Sequence, residues 1–320
     1  MQAGTAETAS RADGPSRMDT SAPLVTVVVP TYNGAPTLRS ALASLAAQDC
    51  ADFEALVVGD GCTDDSETFV RSFGDSRLAW HNLPANSGSQ SAPNNFAAGQ
   101  ARGRWIAYLG HDDLWFPWHL SGLLKMASDS RADFVHSTCL LLHPQGDHQV
   151  TGPMGGGRSH ADQFTPPSSW LHRRDIVARV GGWRLPQELP YGIDFDYQRR
   201  IALAGFHCTH ARRLSVLKFP SGWWGNYDHS RQHPQGGYLE RIVAAPLDVE
   251  RELLGELVTR YASEENGARP GRPMRAVVQA LSRRVADGYG RDRWPLSALL
   301  HWRQQRFIRR NRPRRGLPAR

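Results

Sequence analysis

Two adjacent carboxylates, Asp112 and Asp113, come shortly after the apolar run 105–109. A short run of aromatic and aliphatic residues is typical of a buried strand. In an open α/β sheet, ligands bind beyond the carboxyl ends of the strands. Two acids there concentrate negative charge, which is costly unless a cation shares the site, and a hard divalent cation with oxygen ligands fits. Capping of the following helix is the alternative, and this segment alone does not decide between the two roles.

Two further segments end in the same way. The β-branched run 24–29 leads through Pro30 into the polar loop 31–33, and the apolar run 53–58 leads to Asp60. Runs that are apolar nearly throughout are typical of parallel strands buried on both faces. Because the carboxyl ends of parallel strands meet at one edge of the sheet, we expect the three strand ends to surround one crevice.

Seven short motifs follow one another along the chain. They are V-V-V-P-T-Y-N (27–33), V-V-G-D-G-C-T-D (57–64), N-S-G-S-Q-S-A-P-N-N (86–95), G-R-W-I-A-Y-L-G-H-D-D-L-W (103–115), S-S-W-L-H-R-R (168–174), V-G-G-W (180–183) and I-D-F-D (193–196). In the order and spacing of these motifs, more than in any single one, the chain resembles the family 2 glycosyltransferases, which have the GT-A fold. The similarity covers about residues 23–220.

The resemblance implies a donor site, a metal and a catalytic base. The nucleotide pocket should be lined by Pro30, Thr31, Tyr32, Asn33, Asp60, Asn86, Gly88 and Asp112. Asp113, with Asp112, should hold Mg²⁺ or Mn²⁺, which bridges the two phosphates of the donor. Asp194 should be the general base that takes a proton from the acceptor hydroxyl. Trp170 and Asp196 should contact the acceptor.

These residue types suit the transfer of a sugar from a nucleotide-diphospho-sugar. Charge builds on the leaving diphosphate, and a metal ion can stabilise it as a Lewis acid. A carboxylate base assists the poor acceptor nucleophile by about 10²–10⁴-fold. One base opposite the leaving group predicts inversion, so an α-linked donor gives a β-linked product. Spacing alone favours a different role for Asp194, since an acid in the first turn of a helix compensates the helix dipole.

Three positions depart from the family pattern. Gly59 stands where the family has the first acid of an Asp-Asp pair, Gly110 where it has the first Asp of Asp-x-Asp-Asp, and Ile193 where it has Glu. His111 is a candidate substitute ligand. These departures keep open a second reading, a non-catalytic GT-A protein that binds a nucleotide sugar or acts as a scaffold in a glycan assembly complex.

The substrates are less defined than the reaction. Asp60 can accept a hydrogen bond from the ring N–H of uracil or thymine, so UDP- and dTDP-sugars are the preferred donor candidates. Guanine also offers a ring N–H, so a GDP-sugar would satisfy Asp60 as well. The acceptor is a saccharide, a lipid-linked glycan or a small molecule. A nucleotidyltransferase is a weaker alternative because the loop 31–36 contains no Lys or Arg.

The chain of 320 residues is long enough for a catalytic domain and an added subdomain. We predict an α/β fold with a GT-A (Rossmann-like), mostly parallel sheet flanked by helices, and a helical C-terminal extension. The predicted units are a disordered leader (1–22), a catalytic domain (23–230, with its donor half at about 23–115 and its acceptor half at about 116–230), the helical extension (231–301) and an arginine-rich tail (302–320). Helices are expected at 238–261, 274–286 and 296–308.

Net charge and cysteine content indicate the cellular location of the protein and the partners it contacts. The net charge is +7, but residues 303–320 hold eight arginines and no acid, so the rest of the chain is close to neutral. One hypothesis is that the tail contacts anionic lipid at the membrane. A solvated, disordered tail is the more common role of such a segment. Nucleic-acid binding is not expected. The scattered cysteines, and the lack of 18 consecutive apolar residues or a secretory signal, predict a cytoplasmic protein. We expect the C-terminal helices to cover the catalytic domain, to bind a second copy of the chain in a homo-oligomer, or both. Lys218, one of two lysines, could meet a phosphate near the site.

Overall fold

The computed structural model describes residues 22–146, 148–152, 160–161 and 163–265. The described strands are β1 (Val25–Thr31), β2 (Phe53–Gly59), β3 (Leu78–Asn82), β4 (Trp105–Tyr108), β5 (Leu114–Trp115), β6 (Phe134–Leu141), β7 (Gln149–Thr151), β8 (Trp170–Arg173) and β9 (Cys208–Lys218). The described helices are α1 (Ala35–Ala46), α2 (Ser66–Ser72), α3 (Ser91–Gln100), α4 (His119–Ser130), α5 (Ile176–Val180), α6 (Ile193–Leu203), α7 (Ser221–Trp224), α8 (Gln235–Ala244) and α9 (Pro246–Glu265).

The strands form one mixed sheet in the order β3-β2-β1-β4-β8-β6-β9-β5, with β7 beside β6. In its first half, β1 pairs in parallel with both β2 and β4, and β2 with β3. Every residue of β1 is buried, because the strand is central and helices cover both of its faces. Thr31 at the end of β1 is in register with Gly59 at the end of β2. The predicted buried parallel strands are therefore confirmed.

The second half of the sheet mixes directions. The strand β8 is antiparallel to both β4 and β6, whereas β9 is parallel to β6 and antiparallel to β5. In the last pair, Leu114 lies opposite Leu217. An antiparallel pair in this register brings the residue before Leu114 close to the residue after Leu217, and this is how the sheet joins the end of β9 to the acids that follow β4.

The two faces of the sheet hold separate hydrophobic clusters. On one face, Leu38, Leu42 and Leu45 of α1 pack with the side chains of β1 and β2 that point toward them. On the other face, Val28 packs in a cluster that includes Ile201 of α6. The leucines fall at i, i+4 and i+7, which places them on one side of α1. This packing holds the amino end of α1 beside the end of β1.

The C-terminal helices pack against the sheet. Val249 and Leu253 of α9 join Ile242 of α8 in a cluster with the apolar side chains of β5 and β9. The single helix predicted at 238–261 is two helices, because Pro246 lacks the N–H that would continue α8 and instead begins α9. The helices predicted at 274–286 and 296–308, the arginine tail and most of the predicted leader lie outside the described residues. Among the described helices, none has the length and apolar character needed to cross a membrane.

Candidate functional site

The polar ends of β1, β2 and β4 meet at one edge of the sheet, as the sequence predicts. The backbone N–H of Asp60 donates to the carbonyl of Thr31 over 2.8 Å, and Leu109 N–H donates to Val28 over 2.9 Å. Asp60, Asp112 and Asp113 are all buried at this edge. Buried acids cost free energy unless they are paired or hydrogen-bonded, so their partners indicate what each one does.

Asp60 holds the loop that follows β3. Both of its carboxylate oxygens accept from the Ser87 N–H at 3.0 Å, and Oδ2 also accepts from Gly88 N–H at 3.2 Å. Asn86 Oδ1 accepts from the same Gly88 N–H at 2.6 Å. Burial raises the pKa of Asp60 above its ordinary value, although the hydrogen bonds from Ser87 and Gly88 oppose this shift. The structure thus brings three of the predicted nucleotide-site residues together.

The loop after β1 is tied to the loop after β2. Asn33 has a positive φ of 44°, which Asn tolerates better than most residues. Its Oδ1 accepts from Thr63 N–H at 2.8 Å, and its carbonyl accepts from His229 Nε2 at 2.7 Å. The ring centroids of Tyr32 and Tyr227 are 6.4 Å apart. Residues far along the chain therefore cover this loop.

Asp113 is enclosed by protein donors. Its Oδ2 lies 2.8 Å from Lys218 Nζ and also accepts from Ser168 Oγ, while its Oδ1 accepts from Phe219 N–H at 3.1 Å. The side chain has no exposed surface. Burial alone would lower the pKa of Lys218, but Asp113 and Asp112 raise it above its ordinary value, so the lysine is charged. The pair is a buried ion pair whose lysine end reaches the site edge.

Asp112 is bound by the segment that follows β9. Its Oδ2 accepts from Ser221 Oγ at 2.6 Å and from Asn226 Nδ2 at 2.7 Å, and its carbonyl accepts from Gln235 Nε2 at 3.1 Å. Burial alone would raise the pKa of Asp112, but His111, Lys218 and the two side-chain donors hold it below its ordinary value. Asp112 is therefore ionised, and it keeps 6% of its surface exposed whereas Asp113 keeps none.

Within the described part of the chain, two buried amide oxygens without a hydrogen-bond partner belong to side chains that donate to Asp112. They are Asn226 Oδ1 and Gln235 Oε1. Each such atom costs about 1–3 kcal/mol when it is left without a partner. Yet within the described ranges, no three His, Cys, Asp or Glu side chains come close enough together to hold a metal ion. A cation here would therefore depend on Asp112, on amide oxygens and on oxygens of its ligand.

Asp194 lies in the first turn of α6 and is half-buried. Its Oδ1 accepts a hydrogen bond from Gln90 Nε2 at 2.9 Å. Gln90 immediately precedes α3 and belongs to the same loop as Ser87 and Gly88. One loop thus joins Asp60 to Asp194.

Two predicted acceptor contacts lie inside the protein. Trp170 has no exposed surface; its indole N–H donates to Thr165 Oγ1 at 2.7 Å, and its ring stacks on Trp183 with centroids 5.7 Å apart. Asp196 is 1% exposed and forms an ion pair with Arg200 at 2.7 Å. A side chain with almost no exposed surface offers no face to a sugar. These placements correct the sequence-based prediction for both residues, which are structural.

The sequence profile described as Glycosyl transferase family 2 matches residues 26–143. That span runs from β1 through β6 and contains the acids at the ends of β2 and β4. Residues 26–143 therefore have the sequence pattern of a family 2 glycosyltransferase. The predicted resemblance to this family is thereby confirmed.

Two curated relatives have names that state a reaction. Validoxylamine A glucosyltransferase of Streptomyces hygroscopicus subsp. jinggangensis is 31% identical over 248 residues, covering 73% of this chain and 55% of that protein. The UDP-Glc:alpha-D-GlcNAc-diphosphoundecaprenol beta-1,3-glucosyltransferase WfgD of Escherichia coli is 31% identical over 120 residues, covering 38% and 47%. The chain spans about half or less of the length of the curated relatives it matches.

Solved structures share the fold. S. aureus TarS 1-349 in complex with UDP-GlcNAc has a TM-score of 0.52 at 17% identity and covers 92% of this chain and 93% of that chain. Mannosyltransferase PcManGT from Pyrobaculum calidifontis, in complex with GDP-Man and Mn²⁺, has a TM-score of 0.51 at 17% identity, with 90% and 86% covered. The predicted GT-A fold is confirmed, and at these identities the likeness shows the fold alone.

The departures from the family 2 pattern have steric causes. A Cβ at Gly59 would lie 2.5 Å from Asn82 Oδ1, and a Cβ at Gly110 would lie 2.7 Å from Asp113 Oδ2. Neither position accepts an acid without rearrangement. Ile193 packs at the margin of a hydrophobic cluster. The glycines therefore reflect local packing in this chain.

Several contacts of the site could not be predicted from the sequence. They join positions 104–123 residues apart, and the residues that make them are Gln90, Ser221, Asn226 and Gln235. Only Lys218 stands out beforehand, as one of two lysines in the chain.

Proposed function

We propose that this chain is an inverting glycosyltransferase that moves a sugar from a nucleotide-diphospho-sugar to a hydroxyl of an acceptor. One observation carries the proposal: the loop 86–90 joins Asp60, at the end of β2, to Asp194, at the start of α6. A candidate donor contact and a candidate base thus share one rigid connection. The named reactions of the two curated relatives, both glucosyltransferases, support the reaction class.

The proposed donor site lies where β1, β2 and β4 end. Its lining comprises Pro30, Thr31, Tyr32, Asn33, Asp60, Asn86, Gly88 and Asp112. Asp60 contributes by holding Ser87 and Gly88 in place, with its carboxylate at the edge where a base would lie. A UDP-sugar is the first candidate, because the WfgD name specifies UDP-Glc and the TarS complex contains UDP-GlcNAc. A GDP-sugar is the competitor, as in the PcManGT complex.

The residues present fit a divalent cation at Asp112 better than at Asp113. Lys218 already balances the charge of Asp113, whereas the Asn226 and Gln235 amides that donate to Asp112 keep acceptor oxygens without a partner among the described residues. The hard oxygen groups are those that Mg²⁺ and Mn²⁺ prefer. When bound, such a cation would neutralise charge on the leaving diphosphate. Lys218 adds a fixed positive charge beside the same group.

The proposed base is Asp194. Its carboxylate takes the proton of the acceptor hydroxyl while the hydroxyl oxygen bonds to the anomeric carbon of the donor and the diphosphate leaves. Because a single carboxylate acts from the face opposite the leaving group, the configuration inverts. This general-base help is worth about 10²–10⁴-fold in rate.

The acceptor is proposed only by class. The relatives' names include a small molecule, validoxylamine A, and a glycan linked to diphosphoundecaprenol. A lipid-linked acceptor would suit a cytoplasmic enzyme that contacts the membrane through the arginines of 303–320. Equal binding to acidic vesicles by the full chain and by a chain ending at residue 302 would contradict that membrane role.

Nucleotide binding tests the proposal first. The protein is heated with UDP, dTDP or GDP, each with and without Mn²⁺, and the same series is run on Asp112→Asn. One nucleotide should stabilise the protein by about 2.7 kcal/mol at 100-fold excess over its Kd. The metal-dependent part of that shift should vanish in Asp112→Asn.

The control is Asp129→Asn, which removes an exposed acid paired with Lys125 and should bind as the wild type does. Loss of sugar transfer in Asp194→Asn with nucleotide binding retained would complete the assignment. No shift with any nucleotide would contradict the proposal and favour the scaffold reading.

A further inference from the structure

Gln90 makes a contact that no motif predicts. Its Nε2 donates to Asp194 Oδ1 over 2.9 Å, between residues 104 positions apart. We propose that Gln90 is a positioning residue that fixes the carboxylate of Asp194 in the orientation in which it takes a proton from the acceptor. The inference rests on the proposed function, because it assigns a second residue to the same site.

The helix that follows Gln90 is anchored to the other half of the sheet. Ser91 Oγ donates to the carbonyl of Arg184 at 2.8 Å. Asn95 forms a closed pair of hydrogen bonds with the backbone of Trp183, at 2.7 and 2.8 Å. These three hydrogen bonds hold the amino end of α3, and they thereby fix the position of the Gln90 backbone.

The first turn of α6 is held by contacts that do not involve Gln90. Asp196, two residues after Asp194, pairs with Arg200 at 2.7 Å and with Arg184 at 3.4 Å. Arg200 also donates to the carbonyl of Gly182 at 2.8 Å. Because both helices are fixed to the segment 182–184, the distance between Gln90 and Asp194 is set by the scaffold. A catalytic side chain held by a second residue in this way keeps its productive geometry.

The same contact connects the base to the donor side. Asp60 binds Ser87 and Gly88 of the loop, and Ser87 Oγ donates onward to the carbonyl of Ser89 at 3.0 Å. Gln90 is the next residue. A donor that contacts this loop therefore lies one short, hydrogen-bonded segment away from Asp194.

The hydrogen bond from Gln90 should shift the pKa of Asp194 in a direction that can be tested. A donated hydrogen bond favours the ionised form of a carboxylate. Replacing the amide by an apolar side chain should let Asp194 protonate at higher pH, whereas an ammonium at position 90 should keep it ionised to lower pH. A purely structural role would make both substitutions lower activity in the same way and would leave the pH profile in place.

The experiment compares Gln90→Leu and Gln90→Lys with the wild type. UDP release from UDP-glucose, with water as acceptor, is measured across the range in which carboxylates titrate. In Gln90→Leu, kcat should fall about 10- to 100-fold, the value of losing one hydrogen bond to a charged group, with KM nearly unchanged. The acidic limb of the profile should move to higher pH in Gln90→Leu and to lower pH in Gln90→Lys.

The matched control is Gln100→Leu, which changes an exposed glutamine at the other end of α3. It should leave kcat, KM and the pH profile as in the wild type. Identical profiles for Gln90→Leu and wild type would overturn the inference, as would limbs that move the same way in both Gln90 variants.

Carboxyl-carbon NMR of Asp194 gives a readout that needs no turnover. The titration of this carbon should move to higher pH in Gln90→Leu, and an unmoved titration overturns the inference by itself. If Asp194→Asn releases UDP as fast as the wild type, the proposed function fails instead, and the positioning role falls with it.

Discussion

Lys218 Nζ lies 2.8 Å from Asp113 Oδ2, although the two residues are 105 positions apart in the chain. The antiparallel pairing of β5 with β9 creates this contact, because Leu114 lies opposite Leu217. The pair explains why two adjacent acids can be buried side by side: Lys218 balances the charge of Asp113, and Ser221 and Asn226 donate hydrogen bonds to Asp112.

Breaking this pair should be costly. Lys218→Met leaves the carboxylate of Asp113 buried without its cation, and removing one partner of a buried pair costs about 3–5 kcal/mol. Urea unfolding monitored by circular dichroism measures the change in the free energy of unfolding. The control is Lys125→Met, since the Lys125–Asp129 pair is exposed on both sides and is worth about 0–1 kcal/mol. Equal losses in the two variants would refute the interpretation.

Restoring a side chain at Gly110 should destabilise the protein. A Cβ there would lie 2.7 Å from Asp113 Oδ2, and overpacking of this kind costs about 1–3 kcal/mol. Gly110→Ala is compared by thermal unfolding with Gly99→Ala on α3, where nothing lies within 4 Å of the added atom. The second change should stabilise by about 0.5–1 kcal/mol, because alanine favours helix. A stable Gly110→Ala would show that the site has room for the missing acid.

Trp170 should matter for stability and not for nucleotide binding. Trp170→Phe removes the indole N–H that Thr165 Oγ1 accepts and leaves space beside Trp183. We expect a loss of about 1–3 kcal/mol in the free energy of unfolding, with unchanged affinity for UDP. Trp223→Phe, at a position that is 37% exposed, should cost less than about 0.5 kcal/mol. Unaltered stability in Trp170→Phe would contradict its place in the core.

Buried histidines should make the protein sensitive to acid. Burial lowers the pKa of His119 to about 3 and that of His172 to about 4. Below about pH 6.5 the unfolded chain binds protons at these residues that the native protein does not bind. The free energy of unfolding therefore decreases as the pH is lowered. Each histidine contributes up to about 1.4 kcal/mol per pH unit, until the pH reaches its native pKa.

Urea unfolding at several pH values measures that slope. The asparagine in the His119→Asn variant cannot take up a proton. Between about pH 6 and pH 4, the variant's free energy of unfolding should therefore change less steeply with pH than that of the wild type, by the equivalent of one bound proton. Above about pH 7.5 the two slopes should agree, because the imidazole is then neutral in both states. An unchanged slope in the acidic range would show that His119 is protonated in the native protein.

The sequence was most informative where local pattern and burial agree. The runs 24–29, 53–58 and 105–109 predict buried parallel strands because such strands need apolar side chains on both faces. The acids after them predict the crevice, since parallel strands end at one edge. Prediction failed for Trp170 and Asp196, because a motif position does not say whether a side chain points to the site or into the core.

What the sequence by itself determined was therefore the class of fold, the resemblance to family 2 glycosyltransferases and the edge of the sheet at which Asp60, Asp112 and Asp113 lie. These follow from short segments whose polarity and order can be read along the chain. Only the tertiary structure decided that Lys218 pairs with Asp113, that Asn226 covers Asp112 and that Gln90 holds Asp194. The physical reason is that these contacts depend on the register of distant strands and on irregular segments, which have no periodic pattern of their own.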